Sequence, residues 1–272
     1  MKKKYKPKKG VKIFSILIIF IVSFYLYGRY INSSNLKVYE KAIYNEKLPK
    51  DYNGLKIAHF TDLHYGRTTN EEMLKKVVKE INELNADIVI FTGDISDNTE
   101  INESNKKILT KYLNNINAKL FKFAIIGDYD KKYLDDYKEI LANSNFILLD
   151  NENKLIYYNT NKPINFIGLT NTDNIDEIYI EDNFNITLIH KPDLIKNIEK
   201  SNIVFAGHSL GGQIRIPFIG GIKKIDGAKT YLDEYYKING IDTYISNGIG
   251  TQDISIRMFN SPSITLYRLY NK

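Results

Sequence analysis

The chain contains no cysteine, so disulfides, thiolate metal sites and a cysteine nucleophile are excluded. Histidine is scarce, with four in 272 residues, so the place of each is informative. Internal repeats and low-complexity segments are absent, which argues against repeat arrays. A hydrophobic content of 43% and a charged content of 26% are those of a globular chain and exclude a disordered or fibrous one. Acidic residues are missing from residues 1–12, which hold seven lysines. The other 31 basic side chains meet 32 acidic ones, so the formal charge of +6 belongs to a tail and not to a binding face. No nucleic acid is therefore expected as a partner.

The tail precedes an uncharged run, Ile13 to Gly28. As helix it spans about 24 Å, slightly under a hydrocarbon core of about 30 Å. Snorkelling Lys12 and Arg29 extend it, and Tyr25, Tyr27 and Tyr30 suit the far interface. A cleaved signal peptide is the rival reading, but the run ends in Tyr-Gly-Arg-Tyr without a small-x-small site. The expectation is a single-pass anchor in the cell membrane, N-terminus cytoplasmic and the rest extracytoplasmic. The organisation expected is a basic cytoplasmic tail (1–12), a transmembrane anchor (13–28), a stalk with one strand (29–50) and one domain (51–272).

From Leu55 the chain alternates short apolar runs with amphipathic stretches. Strands are expected at 55–61, 87–92, 121–126, 146–149, 155–158, 164–169, 186–189, 203–206, 213–216, 235–238, 241–246 and 263–269. Asn70 predicts a helix N-cap, with Met73, Val77, Val78, Ile81 and Leu84 on one face. Further helices are expected over 102–117 and 131–142. Asn239-Gly240 predicts a hairpin turn.

Five buried strands end in a ligand type. The first stops at Asp62, with His64 two residues on; the next at Asp94. Another stops at Asp128, with Asp130 two residues on; the last two at His190 and His208. Open α/β sheets bind ligands at the carboxyl ends of their strands. Oxygen and imidazole donors without sulfur suit Mn, Fe or Zn, and several in one crevice suit a two-metal hydrolytic centre. His59 lies inside a strand and is expected to pack or to support the ligands from behind, not to coordinate.

A competing motif is Gly207-His208-Ser209-Leu210-Gly211, which satisfies the nucleophile elbow of serine hydrolases. That chemistry needs a histidine after the serine, and none follows Ser209. Arg67 and Arg215 could meet a substrate phosphate, but surface ion pairs are the favoured reading. Gly211-Gly212 is expected to let backbone approach the crevice. The Tyr and Phe near the C-terminus fit core or acyl-chain recognition.

The blocks TDLHYG, FTGDISD, IIGDYD, LIHKPD and FAGHSLGGQIRIPFIG, in this order, resemble the motifs of the calcineurin-like metallophosphoesterases. GGQIRIPFIG and YISNGIGTQDISIRMFNSPSI are similar to the membrane-anchored bacterial branch that includes UDP-diacylglucosamine hydrolases. The resemblance implies a mixed α/β fold, a four-layer αββα sandwich of two mixed sheets. It implies one or two divalent metal ions per chain and hydrolysis of a phosphate ester or pyrophosphate by a metal-bound hydroxide. The substrate it implies is a phosphorylated small molecule or a lipid-linked one. Asp62 and His64 match ligands of a first metal, Asp94 the bridge, and His190 and His208 ligands of a second. Tyr129 and Asp130 match catalytic positions, and Asp128 a further ligand.

The chain departs from the family where Asp128 and Tyr129 replace Asn and His, and where Leu210 replaces His. Leucine cannot coordinate, so the first site keeps Asp62, His64 and the shared Asp94. Three side chains plus water still hold a catalytic metal. A phenol, with pKa near 10, donates a hydrogen bond but is no cationic acid. A second reading, a catalytically impaired metal- or phosphate-binding pseudoenzyme, rests on Tyr129 and Leu210.

Overall fold

The computed structural model describes residues 9–97, 101–158, 160–170 and 178–272; the first lysines of the tail lie outside them. Helix α1 (Lys9–Leu26) carries the apolar run and is exposed along its length. It is long and apolar enough to cross a membrane. It continues through a π-helical turn, Tyr27–Ile31, and a 3-10 turn, Asn32–Ser34. The strand expected in the stalk is β1 (Lys37–Tyr44), so this segment enters the domain as an edge strand.

The chain then runs through β2 (Lys56–Phe60), α2 (Glu71–Glu83), β3 (Ile88–Phe91), α3 (Glu103–Asn114), β4 (Phe121–Ala124), α4 (Leu134–Asn143), β5 (Ile147–Leu148) and β6 (Glu152–Ile156). Next come β7 (Ile164–Leu169), β8 (Phe184–Ile189), β9 (Ile203–Ala206), β10 (Arg215–Ile216), β11 (Gly220–Gly221), β12 (Tyr235–Ile238), β13 (Ile241–Ile245) and β14 (Ser263–Tyr270). Asn70 and Asn102 cap α2 and α3 by accepting from Met73 N and Asn105 N. The helix expected from Lys131 begins as a 3-10 turn, Asp130–Tyr133, because the Asp130 carboxylate bonds a neighbouring loop and cannot cap its own turn. Asn239 and Gly240 both hold positive φ, as a two-residue hairpin turn requires.

Two six-stranded mixed sheets form, ordered β1-β14-β2-β3-β4-β5 and β12-β13-β9-β8-β7-β6. In each, four adjacent strands are parallel: β2 to β5 in the first, and β13, β9, β8 and β7 in the second. The parallel strands are apolar on both faces because both faces are covered. Along β2 and β3, Ala58, Phe60, Val89 and Phe91 pack against α2 to α4, whereas Ile57, Ile88 and Ile90 face the second sheet. The outer face of the second sheet is covered by the 3-10 segment Pro192–Asn197 and adjoining loops. No α-helix lies there among the described residues.

An aromatic cluster joins the sheets. Phe205 lies 4.8 Å from Tyr267 and 5.8 Å from Tyr244, centroid to centroid, and His59 meets it edge-on at 5.7 Å. His59 is thus a packed residue, as expected. Burial pushes its pKa down to about 3, so it is neutral. Phe205 is fully buried between the sheets, so Phe205→Ala should cost about 3–5 kcal/mol. Urea unfolding of the two proteins measures this; a change under about 1 kcal/mol would mean the inter-sheet cluster is not a stabilising core.

Candidate metal centre

The carboxyl ends of β2, β3, β8 and β9 meet on one side of the two sheets. Each candidate ligand sits within a few residues after a strand, where the chain must turn sharply. Asp62, His64, Asp94 and His208 all hold left-handed φ, between 43° and 64°. Such strain in non-glycine residues costs on the order of 1–3 kcal/mol each and clusters at functional sites. Two glycines allow the approach. A Cβ on Gly127 would lie 2.3 Å from Asp94 Oδ1, and one on Gly207 would lie 2.3 Å from Thr61 Oγ1.

Two buried triads could hold a metal ion, Asp62–His64–Asp94 and Asp94–His190–His208, and they share Asp94. His64 Nε2 lies 3.8 Å from Asp62 Oδ1 and 3.8 Å from Asp94 Oδ2. His190 Nε2 lies 3.1 Å from Asp94 Oδ2 and 3.2 Å from His208 Nδ1.

Tautomers test whether a cation fits. His190 Nδ1 is 2.7 Å from the Thr92 carbonyl, and His208 Nε2 is 2.7 Å from the Asp226 carbonyl. A carbonyl only accepts, so these nitrogens carry the protons. In neutral rings the other two nitrogens then present lone pairs to each other and to Asp94. Three acceptors face one another with no donor, and a divalent cation fits between them. In the metal-free chain a proton takes that place. Burial disfavours the charge, but Asp94, then Asp62 and Asp128, override it and push His190 up to about 10. Burial and the charge on His190 hold His208 down.

The other predicted site residues are placed differently from one another. Asp128 reaches the second triad, with Oδ2 3.9 Å from His208 Nδ1, but is half-exposed and paired with Lys191 Nζ at 2.8 Å. Tyr129 donates its backbone N–H to Asp94 Oδ1 and stands edge-on to His64 at 5.2 Å. Burial raises its phenol above 10, so it is neutral. Asp130, read from the sequence as catalytic, is buried behind the centre. Its oxygens accept from the backbone N–H groups of Asp94, Gly127 and Ile95, at 2.8, 2.8 and 2.9 Å. It positions the loop that carries the bridge.

Leu210 is buried; a methyl on Gly248 would meet its Cδ2 at 2.8 Å and Asp62 Cβ at 3.0 Å, so leucine packs beside the first triad. Ser209 Oγ accepts from Gly211 N in its own turn, and it is buried. Arg67 pairs with Asp97 and Arg215 with Asp233, as expected of ion pairs. The close approaches of Gly211 and Gly212 are to Asn247 and to Gly221 backbone, not to the ligands. Sequence reasoning missed Asp97, 3.3 Å from His64 Nδ1, and Lys191; both lie inside the quoted motifs, the only signal they gave.

Two triads sharing one carboxylate, at the strand ends of two packed mixed sheets, define a metal-dependent phosphoesterase architecture. Residues 55–248 match the family described as calcineurin-like phosphoesterase, and the chain belongs to that family. The uncharacterized metallophosphoesterase YkuE of Bacillus subtilis is 28% identical over 256 residues, covering 90% of this chain and 89% of its own. LpxG of Chlamydia muridarum, a UDP-2,3-diacylglucosamine pyrophosphatase, is 24% identical over 291 residues, covering 82% and 86%. A Danio rerio transmembrane protein with a metallophosphoesterase domain is 23% identical over 261 residues, covering 84% and 56%. The protein is a phosphoester hydrolase by family.

A divalent cation must displace the His190 proton, so metal affinity should rise about tenfold per pH unit from neutrality towards pH 10. The metal-free chain should show the opposite sign. Stabilisation from charged His190 is complete below about 6.5 and lost as pH rises through about 10. Manganese titration should find one tight site and one that exchanges readily, since Leu210 leaves the first triad a ligand short. His190→Ala should weaken the tight site about 10–100-fold. A pH-independent affinity, or a tight site untouched by His190→Ala, would contradict the assignment.

Proposed function

We propose that the chain is a membrane-anchored hydrolase of a phosphate ester or pyrophosphate, with a centre modified on its leaving-group side. The observation that carries this is the pair of triads sharing Asp94. When bound, divalent ions (Mn, Fe or Zn) supply positive charge to the phosphoryl group and acidify water. Asp62, His64, Asp94, His190 and His208 hold them, and Asp128 joins the second site from its pair with Lys191.

The carboxylate at position 128 adds negative charge where a neutral amide would add none. Lys191 Nζ, at 2.8 Å, offsets that charge and preserves the electrostatic field on the phosphoryl transition state. Tyr129, neutral and beside His64, serves as hydrogen-bond donor to the leaving oxygen. Asp130 fixes the Asp94 backbone. A lipid-linked or nucleotide-sugar pyrophosphate is the proposed substrate class. The exposed apolar helix α1 and the resemblance to two chlamydial UDP-2,3-diacylglucosamine pyrophosphatases support it. The seven lysines before Ile13 support a cytoplasmic N-terminus and an extracytoplasmic domain.

The pseudoenzyme reading is favoured by one observation, the buried Leu210 at the first triad. The full chain with manganese, assayed on bis(4-nitrophenyl) phosphate, separates the two. Turnover is expected, and Tyr129→Phe should lower kcat by about tenfold or more with little change in KM. Stoichiometric metal without turnover, unchanged by Leu210→His with Tyr129→His, would leave a binding protein.

A further inference from the structure

The motif Gln213-Ile214-Arg215-Ile216-Pro217-Phe218-Ile219-Gly220 contributes no ligand to the centre. It forms the hairpin of β10 and β11. Its tip is apolar and unusually open: Phe218 is 109% exposed and Ile219 74%. Ile216, Ile222, Ile254 and Phe259 nearby are each exposed by 41% or more. Phe218 also holds a left-handed φ of 68°, a strained state for an aromatic residue. Soluble proteins seldom leave so continuous an apolar patch in water.

The patch adjoins α1. Phe259 lines one groove with Arg215, Ile216, Phe218 and Ile219, and its ring lies 6.2 Å from that of Phe24. The junction is held firmly. Arg257 N donates to Ser33 Oγ at 3.1 Å, and Ser33 Oγ donates to the Gly28 carbonyl at 2.7 Å. A Cβ on Gly28 would meet Ile256 Cγ2 at 2.5 Å, so the loop closes on the helix where glycine permits it. Phe24 lies three residues, about 4.5 Å of helix rise, inside Tyr27, the last aromatic residue of the apolar run. A bilayer that takes up α1 to Tyr27 therefore reaches the level of Phe259. Of the cations beside the tip, Arg215 and Lys223 are paired with Asp233 and Asp253, and Lys224 follows them in the chain, where a long cation reaches headgroups.

We infer that the hairpin tip, Phe218 and Ile219 with Phe259 beside it, is a second membrane insertion point that enters the acyl region of the bilayer next to α1. The hairpin follows directly on the loop that carries His208 and is joined to it by the Gln213 N to Leu210 O bond, 2.9 Å. Two insertion points fix the tilt of the domain, which a single helix does not. The mouth of the metal crevice is thereby held at the lipid surface. The inference rests on α1 entering the bilayer and is independent of whether the centre turns over substrate.

The chain has no tryptophan, so single substitutions give unique fluorophores in the full chain. It would be reconstituted in phosphatidylcholine–phosphatidylglycerol vesicles with or without brominated acyl chains. Phe218→Trp and Ile219→Trp should emit to the blue of a solvated indole and lose most of their intensity to brominated lipid. Phe14→Trp, in α1, should be quenched likewise, and Tyr157→Trp, near the far edge strand, should not. Quenching at Phe14→Trp without quenching at either tip position would overturn the inference. So would blue emission at the tip that brominated lipid leaves intact, since a protein would then cover it. If Phe14→Trp itself escapes quenching, the anchor reading fails and the insertion point falls with it.

Discussion

The Asp94 carboxylate lies within reach of both halves of the site. Its Oδ2 faces His190 at 3.1 Å and His64 at 3.8 Å, while its Oδ1 accepts from Tyr129 N. The backbone beneath it is held by Asp130 and adopts φ of 61°. Charge drives the arrangement. Burial alone would raise the Asp94 pKa, but His190 and His64 hold it well below the usual carboxylate range. Asp130 has no such partner; burial and the Asp94 charge push it up to about 7, against three amide hydrogen bonds that favour the carboxylate. Moving Asp94 would therefore unbalance two imidazoles, one carboxylate and three amides together.

The sheets exist in a form that makes this sharing possible. Parallel strands leave all their carboxyl ends on one side, and two such sheets pack face to face through Phe205, Tyr244 and Tyr267. Ligands from β2 and β3 in one sheet then meet ligands from β8 and β9 in the other. Neither sheet carries both triads. His208 N donates to Asp62 Oδ2 at 2.9 Å, which ties the two sheets directly at the site.

Much of this was legible in the sequence because buried parallel strands read as unbroken apolar runs, so the residue that breaks each run stands out. Asp62, Asp94, His190 and His208 were visible on that ground, and His59 was set apart because it lies within its run. Long-range partners were not visible. Asp130 sits two residues beyond Asp128 just as His64 sits two beyond Asp62, yet its carboxylate turns back to amides of another loop. Nothing local distinguishes the two. The Lys191–Asp128 pair joins residues 63 positions apart, and only the packing of β8 against the β4 loop brings them together. β6 forms at Glu152–Ile156, ahead of the apolar run expected from Leu155, because pairing with β7 and not side-chain pattern sets an edge strand's register.

A divalent cation held by Asp94 would be the keystone of the site. Crystals grown with manganese, with anomalous differences collected on both sides of its absorption edge, would locate every bound ion. The result predicted is two ions on either side of Asp94, about 3.5–4 Å apart, with the one against His190 and His208 at the higher occupancy. Manganese that leaves Asp94 untouched, or none within reach of His190 and His208 at saturating metal, would contradict it.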